Sequence, residues 1–248
     1  MKTEVRPTRS GVWAVGDREL TFPVRVRKAQ MGASVYRAPS GAAREVLEGK
    51  PFDPIVVGRK AISLALFIRY IDGDLDAYDE FGVGLAVRGV GGKGFAVHVL
   101  HLPVTAEFTM HAGRGIWGLP KYVVQSGSAV EARQIRLELG EGTEHIVAGT
   151  IAAGLRLPLR AKTESLGLSV GLQGENEGRI VGTPSGMRVS NTRIGRTNSE
   201  LVWGDHAMAK DAMKLGMRGR PIVSMLCDLE MSIGEPTVID SATRRERR

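Results

Sequence analysis

One cysteine, Cys227, stands among 248 residues. No disulfide can form within the chain, and no cysteine-built metal site exists. Histidine does not make up the shortfall. The five imidazoles, at positions 98, 101, 111, 145 and 206, show no ligand spacing on a readable helix, and His98 and His101 fall on opposite faces of one strand. Neither CxxC nor HExxH occurs, and no glycine fingerprint opens a helix after a strand. The sequence therefore argues against a metal centre and against a nucleotide site, and no nucleophile-elbow motif is present. Long apolar runs are missing too. The best, Ala61–Ile68, has strand length and falls well short of the roughly 20 residues that span a bilayer. The start, Met1–Trp13, carries basic residues without an apolar stretch, so no secretory signal is expected and the chain reads as soluble and cytoplasmic. Aromatic residues are few, at 5%, while glycine is plentiful at 32 residues. That balance points to many turns and tight strand packing rather than long helices.

Charge of one sign is concentrated rather than spread. The net charge is +7. Residues 1–30 hold seven basic and three acidic side chains, and Arg244–Arg248 hold four and one, so the excess lies at the two ends. The body is balanced and has no basic face with interleaved aromatics, which argues against nucleic-acid binding.

What is present is mostly strand and turn. Leu20–Val26, Ala33–Tyr36, Ile55–Val57 and Ile62–Tyr70 have strand character. Gly91-Gly92 joins Phe81–Val90 to Gly94–Leu102 as a hairpin, and Gly140-Glu-Gly142 joins Val130–Leu139 to His145–Leu157 as another. Three short helices are expected: Ser40–Leu47 with Ser40 as N-cap, Thr105 to about His111, and His206–Leu215 capped by Asp205. Asp72–Glu80 is acidic, but its glycine and glutamate positions do not fit an EF-hand, so it reads as a solvated turn. Gly167–Glu177 reads as a loop, and Pro221–Ile233 as a last strand. This pattern indicates one mainly β (α+β) domain, an antiparallel barrel or sandwich with a few short peripheral helices. Its expected bounds are residues 13–240, after a flexible lead over 1–12 and before a basic tail over 241–248.

One lysine draws attention. Lys121 lies among Ile116, Trp117, Leu119, Tyr122, Val123 and Val124, directly after Pro120. The proline fixes its own φ and pushes Leu119 extended. Burial of an ammonium among such neighbours lowers its pKa, and a neutral lysine is a nucleophile towards ketones. The alternative is a lysine whose stem covers apolar surface or whose charge guards a sheet edge.

Five pieces, taken in order, decide how that lysine is read. They are Asp17-Arg18-Glu19, Val35-Tyr-Arg37 with the short helix after it, Tyr78-Asp-Glu80, Gly113-Arg114 followed by Pro120-Lys121, and Asp205-His-Ala-Met-Ala209. Together they resemble the acetoacetate decarboxylase superfamily from about Gly16 to the last strand, with an extension between Glu19 and Val35. The resemblance implies a cone-shaped antiparallel β-barrel, usually in a large homo-oligomer, that acts on a small keto acid without cofactor or metal. Lys121 would form the Schiff base, Glu80 would be the carboxylate near the reacting carbon, and Arg18 would meet the substrate carboxylate. Tyr122 and Arg114 join the substrate-binding set, Tyr122 as an acid/base or a packing aromatic that shapes the pocket, Arg114 lining the site or supporting its turn. Three positions depart from the decarboxylase pattern. Tyr122 replaces a second lysine, Gly115 replaces a glutamate, and Ala65 aligns with a third carboxylate. The expected function is therefore a Schiff-base-forming lyase, most simply a β-keto acid decarboxylase. An aldolase or dehydratase using the same lysine, or a non-catalytic barrel that binds a small ligand, are the competing readings.

Overall fold

The structure, a computed structural model, describes residues 3–89, 94–173, 176–195 and 199–239. Three short antiparallel strands come first: β1 (Val5–Arg9), β2 (Val12–Val15) and β3 (Arg18–Thr21). Gly11 and Gly16 turn between them with φ of +70° and +62°, a conformation that glycine adopts without strain. The chain from Val5 is thus a paired strand and not the flexible lead expected there.

A long strand, β4 (Val24–Pro39), leads into α1 (Ser40–Glu45), β5 (Val56–Val57) and β6 (Lys60–Gly73). Next come β7 (Tyr78–Arg88), β8 (Phe95–Val104), α2 (Glu107–Trp117) and β9 (Lys121–Val123). Four strands, β10 (Gln125–Ser126), β11 (Ala129–Val130), β12 (Gln134–Glu141) and β13 (Glu144–Ala152), precede β14 (Leu155–Arg156), β15 (Ala161–Val170) and β16 (Ile180–Gly195). The chain closes with β17 (Glu200–Trp203), α3 (Ala207–Lys214), β18 (Val223–Ile233) and β19 (Thr237–Ile239).

Seven of these strands, in the order β15-β8-β7-β6-β4-β18-β16, close on themselves through the β15–β16 ladder. The result is a barrel, which resolves the choice between barrel and sandwich. Every neighbour is antiparallel except β8 and β15, where Val97 and His98 run parallel to Gly167 and Leu168. A separate five-stranded sheet of β10 to β13 and β17 packs outside. Alternation along β6 shows how the sequence divides the two sides. Ala61, Ala65 and Phe67 are buried on one face, in a core shared with Ile135, Ile146 and Ile151 of the outer sheet and Met208 of α3. Leu64, Leu66, Ile68 and Tyr70 turn to the other face, into the barrel. A second core, including Trp13, Val24, Ile116 and Trp117, covers one end of the barrel beneath β1 to β3 and α2.

Several local expectations change. Pro39 rather than Ser40 is the N-cap of α1, and His206 rather than Asp205 caps α3, its Nδ1 accepting from Met208 N. Helix α2 runs six residues past His111 and is preceded by Ala106, while Thr105 Oγ1 instead accepts from Asp79 N. Gly167–Val170 belongs to β15 and not to a loop. The acidic turn is exposed at Asp72, Asp76 and Ala77, as expected, while Leu75 and Tyr78 are buried. Asp72 and Asp74 hold Arg27, and Asp79 holds Arg69. The Gly91-Gly92 turn and the basic tail lie outside the described residues. Among the described residues no helix is long and apolar enough to cross a membrane.

Candidate active site

Lys121 is held in place from both directions along the chain. Helix α2 ends at Gly118, whose φ of +64° is left-handed, and a Cβ there would stand 2.8 Å from Gly171 Cα. Leu119 N then donates back to Gly113 O at 2.9 Å, and Lys121 N to Leu119 O at 2.8 Å. The strand that follows joins β8 in parallel, setting Lys121 opposite Leu102. Arg114 Nη1 donates to the Lys121 carbonyl at 3.0 Å, tying strand to helix. The lysine stem lies directly over Gly113, where a Cβ would meet Lys121 Cδ at 2.5 Å. Gly113→Ala should therefore lower stability by about 1–3 kcal/mol, as overpacking does. Urea denaturation checks this; a loss under about 0.5 kcal/mol, ordinary for a surface change, would mean that the stem yields freely.

The ammonium is 3% exposed and fully engaged. Lys121 Nζ sits 2.8 Å from Glu80 Oε2 and donates to Thr109 Oγ1 at 2.8 Å. It also lies 5.2 Å from the centre of the Tyr78 ring, within cation–π reach. The other carboxylate oxygen, Glu80 Oε1, accepts from Tyr70 Oη at 3.0 Å, and Tyr70 stacks on Tyr78 with centroids 4.3 Å apart. Burial, the largest influence on Lys121, pulls its pKa down, but the adjacent Glu80 carboxylate and Tyr78 leave it above the ordinary lysine value. This corrects the lowered pKa expected from its apolar neighbours in sequence, because the carboxylate lies 41 positions away along the chain. The Tyr70 and Tyr78 hydroxyls are likewise raised, first by burial and for Tyr70 next by the Glu80 charge. Both phenols stay protonated at neutral pH, so Tyr70 is a donor to Glu80.

A cavity of about 1040 Å³ opens from this pair into the barrel, and among the described residues that line it Lys121 is the only lysine or arginine. Arg18 is not among them. Its guanidinium is held by Asp76 at 2.6 and 3.2 Å, lies 3.6 Å over the Phe108 ring, and its side chain is 42% exposed. The structure thus does not bring Arg18 to the cavity as a carboxylate ligand, because the acidic turn at Asp76 and the face of α2 occupy it. Tyr122, one residue along the strand from Lys121, turns away from it; its hydroxyl reaches Met208 Sδ at 3.4 Å and its ring packs by His206. Arg114 binds backbone rather than lining the space. Of the five residues singled out, Lys121 and Glu80 meet, Arg114 braces Lys121 from behind, and Arg18 and Tyr122 face elsewhere.

The departures from the decarboxylase pattern also read differently in space. Ala65 pairs with Val83 on the strand face turned away from the cavity. A side chain at Gly115 would run into Val5, 2.5 Å away, rather than into the cavity. Neither position adjoins Lys121. The residues missing from the sequence reading are Thr109 and Tyr70. Thr109 could be found from helical spacing, since it lies one turn before Gly113 on the face that Lys121 crosses. Tyr70 lies on the same face of β6 as Ile68, which pairs with Glu80.

A buried amine thus stands in contact with a carboxylate at the end of an apolar barrel. The family model described as acetoacetate decarboxylase (ADC) matches residues 12–170. The chain belongs to the acetoacetate decarboxylase family. Among curated proteins none matches. Solved structures share the fold of this family member at low identity. An acetoacetate decarboxylase from Legionella pneumophila is 17% identical with a TM-score of 0.68, over 90% of this chain and 91% of that one. The enduracididine biosynthesis enzyme MppR, complexed with pyruvate, is 14% identical with a TM-score of 0.71, over 90% and 93%. An acetoacetate decarboxylase-like enzyme from Sphingomonas wittichii is 11% identical with a TM-score of 0.58, over 86% and 91%.

Proposed function

We propose that the protein is a Schiff-base-forming lyase that decarboxylates a β-keto acid through an imine on Lys121. One observation carries this reading: Lys121 Nζ and Glu80 Oε2 stand 2.8 Å apart at the buried end of an apolar cavity. The raised lysine pKa means that the resting amine is charged. Entry of a ketone group between the two partners lets Glu80 take the proton, leaving a neutral amine. That amine adds to the carbonyl carbon, and loss of water from the carbinolamine gives the protonated imine. The bond to the substrate carboxylate then breaks, its electrons flow towards the iminium nitrogen, and CO₂ leaves an enamine. Glu80, whose first proton leaves with that water, takes up a proton from solvent and delivers it to the enamine carbon, and water then releases the ketone and restores the ammonium. Among the described residues no guanidinium lines the cavity, which supports loss of CO₂, since a carboxylate there would meet chiefly the iminium charge.

The test is borohydride trapping. The protein is incubated with acetoacetate or pyruvate, reduced, digested and weighed by mass spectrometry. The expected result is an adduct on the Lys121 peptide, with CO₂ released from the β-keto acid. An adduct without CO₂ release would turn the reading to aldol-type chemistry, in line with the MppR structure that holds a condensation product of pyruvate and imidazole 4-carboxaldehyde. No adduct with any keto acid would leave a non-catalytic binding barrel.

A further inference from the structure

The cavity is much larger than a four-carbon acid needs. Pockets of about 300–1,000 Å³ take drug-sized ligands, and this one reaches about 1040 Å³. Its shape follows from strand alternation. Leu64, Leu66 and Ile68 on β6 and Val97, Val99 and Leu102 on β8 line it from the catalytic end outward. Leu102 is opposite Lys121, and Phe95, 59% exposed, lines the other end of the same strand. Seven steps of strand separate the two, about 23 Å at roughly 3.3 Å each. Glycines at 82 and 84, on the cavity face of β7 between Glu80 and the far end, leave the wall low, and Leu66 and Leu102 reach over Gly82. Across from these strands, Thr183 is 7% exposed with its Oγ1 unpartnered among protein atoms, and it lines the same space.

We infer that the substrate of this site is a keto acid with a long apolar body, its reacting carbonyl at Lys121 and its tail along β6 and β8 towards Phe95. This rests on the imine reading of Lys121. Among the described residues no lysine or arginine other than Lys121 lines the cavity, which argues against a second anionic group on the tail. Thr183 marks a position in the wall where an oxygen on the body would find a buried hydrogen-bond donor without a partner. The length of the tail, not the carboxylate, provides most of the discrimination, because Arg18 is committed to Asp76.

The experiment uses methyl ketones, the products of such a reaction, because they form the imine without needing the decarboxylation step. Acetone, heptan-2-one and undecan-2-one are titrated in borohydride trapping on Lys121, and binding of the same ketones without borohydride is followed by calorimetry. Half-maximal trapping is expected to fall with length by up to about fourfold per methylene, the ratio equivalent to 0.8 kcal/mol for each buried CH₂. In Val99→Trp, which fills the cavity midway along β8, the gain from heptan-2-one to undecan-2-one is expected to disappear. Thr183→Val should bind undecan-2-one at least as well as the parent, since it removes a buried hydroxyl that a plain chain cannot satisfy. Trapping of acetone equal to that of undecan-2-one would overturn the inference and leave the imine reading intact. Labelling by none of them would overturn the imine reading, and calorimetry would then decide the cavity separately, with no binding of undecan-2-one rejecting the long apolar body. A Val99→Trp variant that does not fold leaves the parent length series as the deciding measurement.

Discussion

Glu80→Gln is expected to slow turnover of a keto acid by about 10²–10⁴-fold, the range of a lost general acid–base group, while Lys121 keeps its ability to form the imine. The two effects separate because Glu80 has two tasks. It takes the proton that must leave the ammonium and later passes a second one, drawn from solvent, to the enamine carbon, and its charge keeps the lysine pKa high. Glutamine can accept a hydrogen bond from Nζ at the same place but cannot carry the proton. With the carboxylate gone, burial has less to oppose it, and the Lys121 pKa falls. Trapping of a methyl ketone by borohydride should therefore begin at lower pH in the variant than in the parent, while CO₂ release from the keto acid stays low at every pH. A trapping profile that moves to higher pH would reject the carboxylate as the source of the raised lysine. Turnover within a few-fold of the parent would reject it as the proton carrier. The Tyr70 hydroxyl, which donates to Glu80 Oε1, remains in place to orient the amide.

That prediction depends on a contact which the sequence only partly discloses. The alternating strands around Gly140-Glu-Gly142 read directly, because an antiparallel hairpin puts its turn and its period into one local stretch. The closure of the barrel does not, because β8 and β15 meet in parallel through two residue pairs more than sixty positions apart. Such a junction leaves no local signal. Helix α2 is misjudged for a related reason. Gly113 and Gly115 lower helix propensity, yet both are required by close approach, one by the Lys121 stem and the other by Val5. Lys121 and Glu80 are found through the resemblance, and the fold explains why both are needed. The error over the lysine pKa comes from reading neighbours along the chain, where Lys121 sees only apolar residues, instead of neighbours in space. Arg18 fails for the converse reason. Its motif is visible, but the acidic turn that holds it is 58 positions away.

The largest effect on folding is expected from removing the amine itself. Lys121→Met keeps the length of the side chain and leaves Glu80 buried without its partner, which should cost about 3–5 kcal/mol. That is a large part of the roughly 5–15 kcal/mol typical of a native domain. The double variant Lys121→Met/Glu80→Gln should recover most of the loss, because the uncompensated charge, and not the missing contact, is what destabilises. The pH dependence has a definite sign. In the parent, the raised lysine contributes stability that is fully present below the unfolded lysine pKa of about 10.4 and is lost only as pH rises through the higher folded value. In Lys121→Met, the lone buried carboxyl binds a proton more readily folded than unfolded, so the variant gains stability relative to the parent as pH falls from 8 towards 5. Urea denaturation of parent, single and double variants at both pH values measures all of this. A single variant as stable as the parent at pH 8, or a deficit that does not shrink on acidification, would show that Glu80 is not confined with Lys121. The chemistry built on their contact would then lose its basis along with the stability argument.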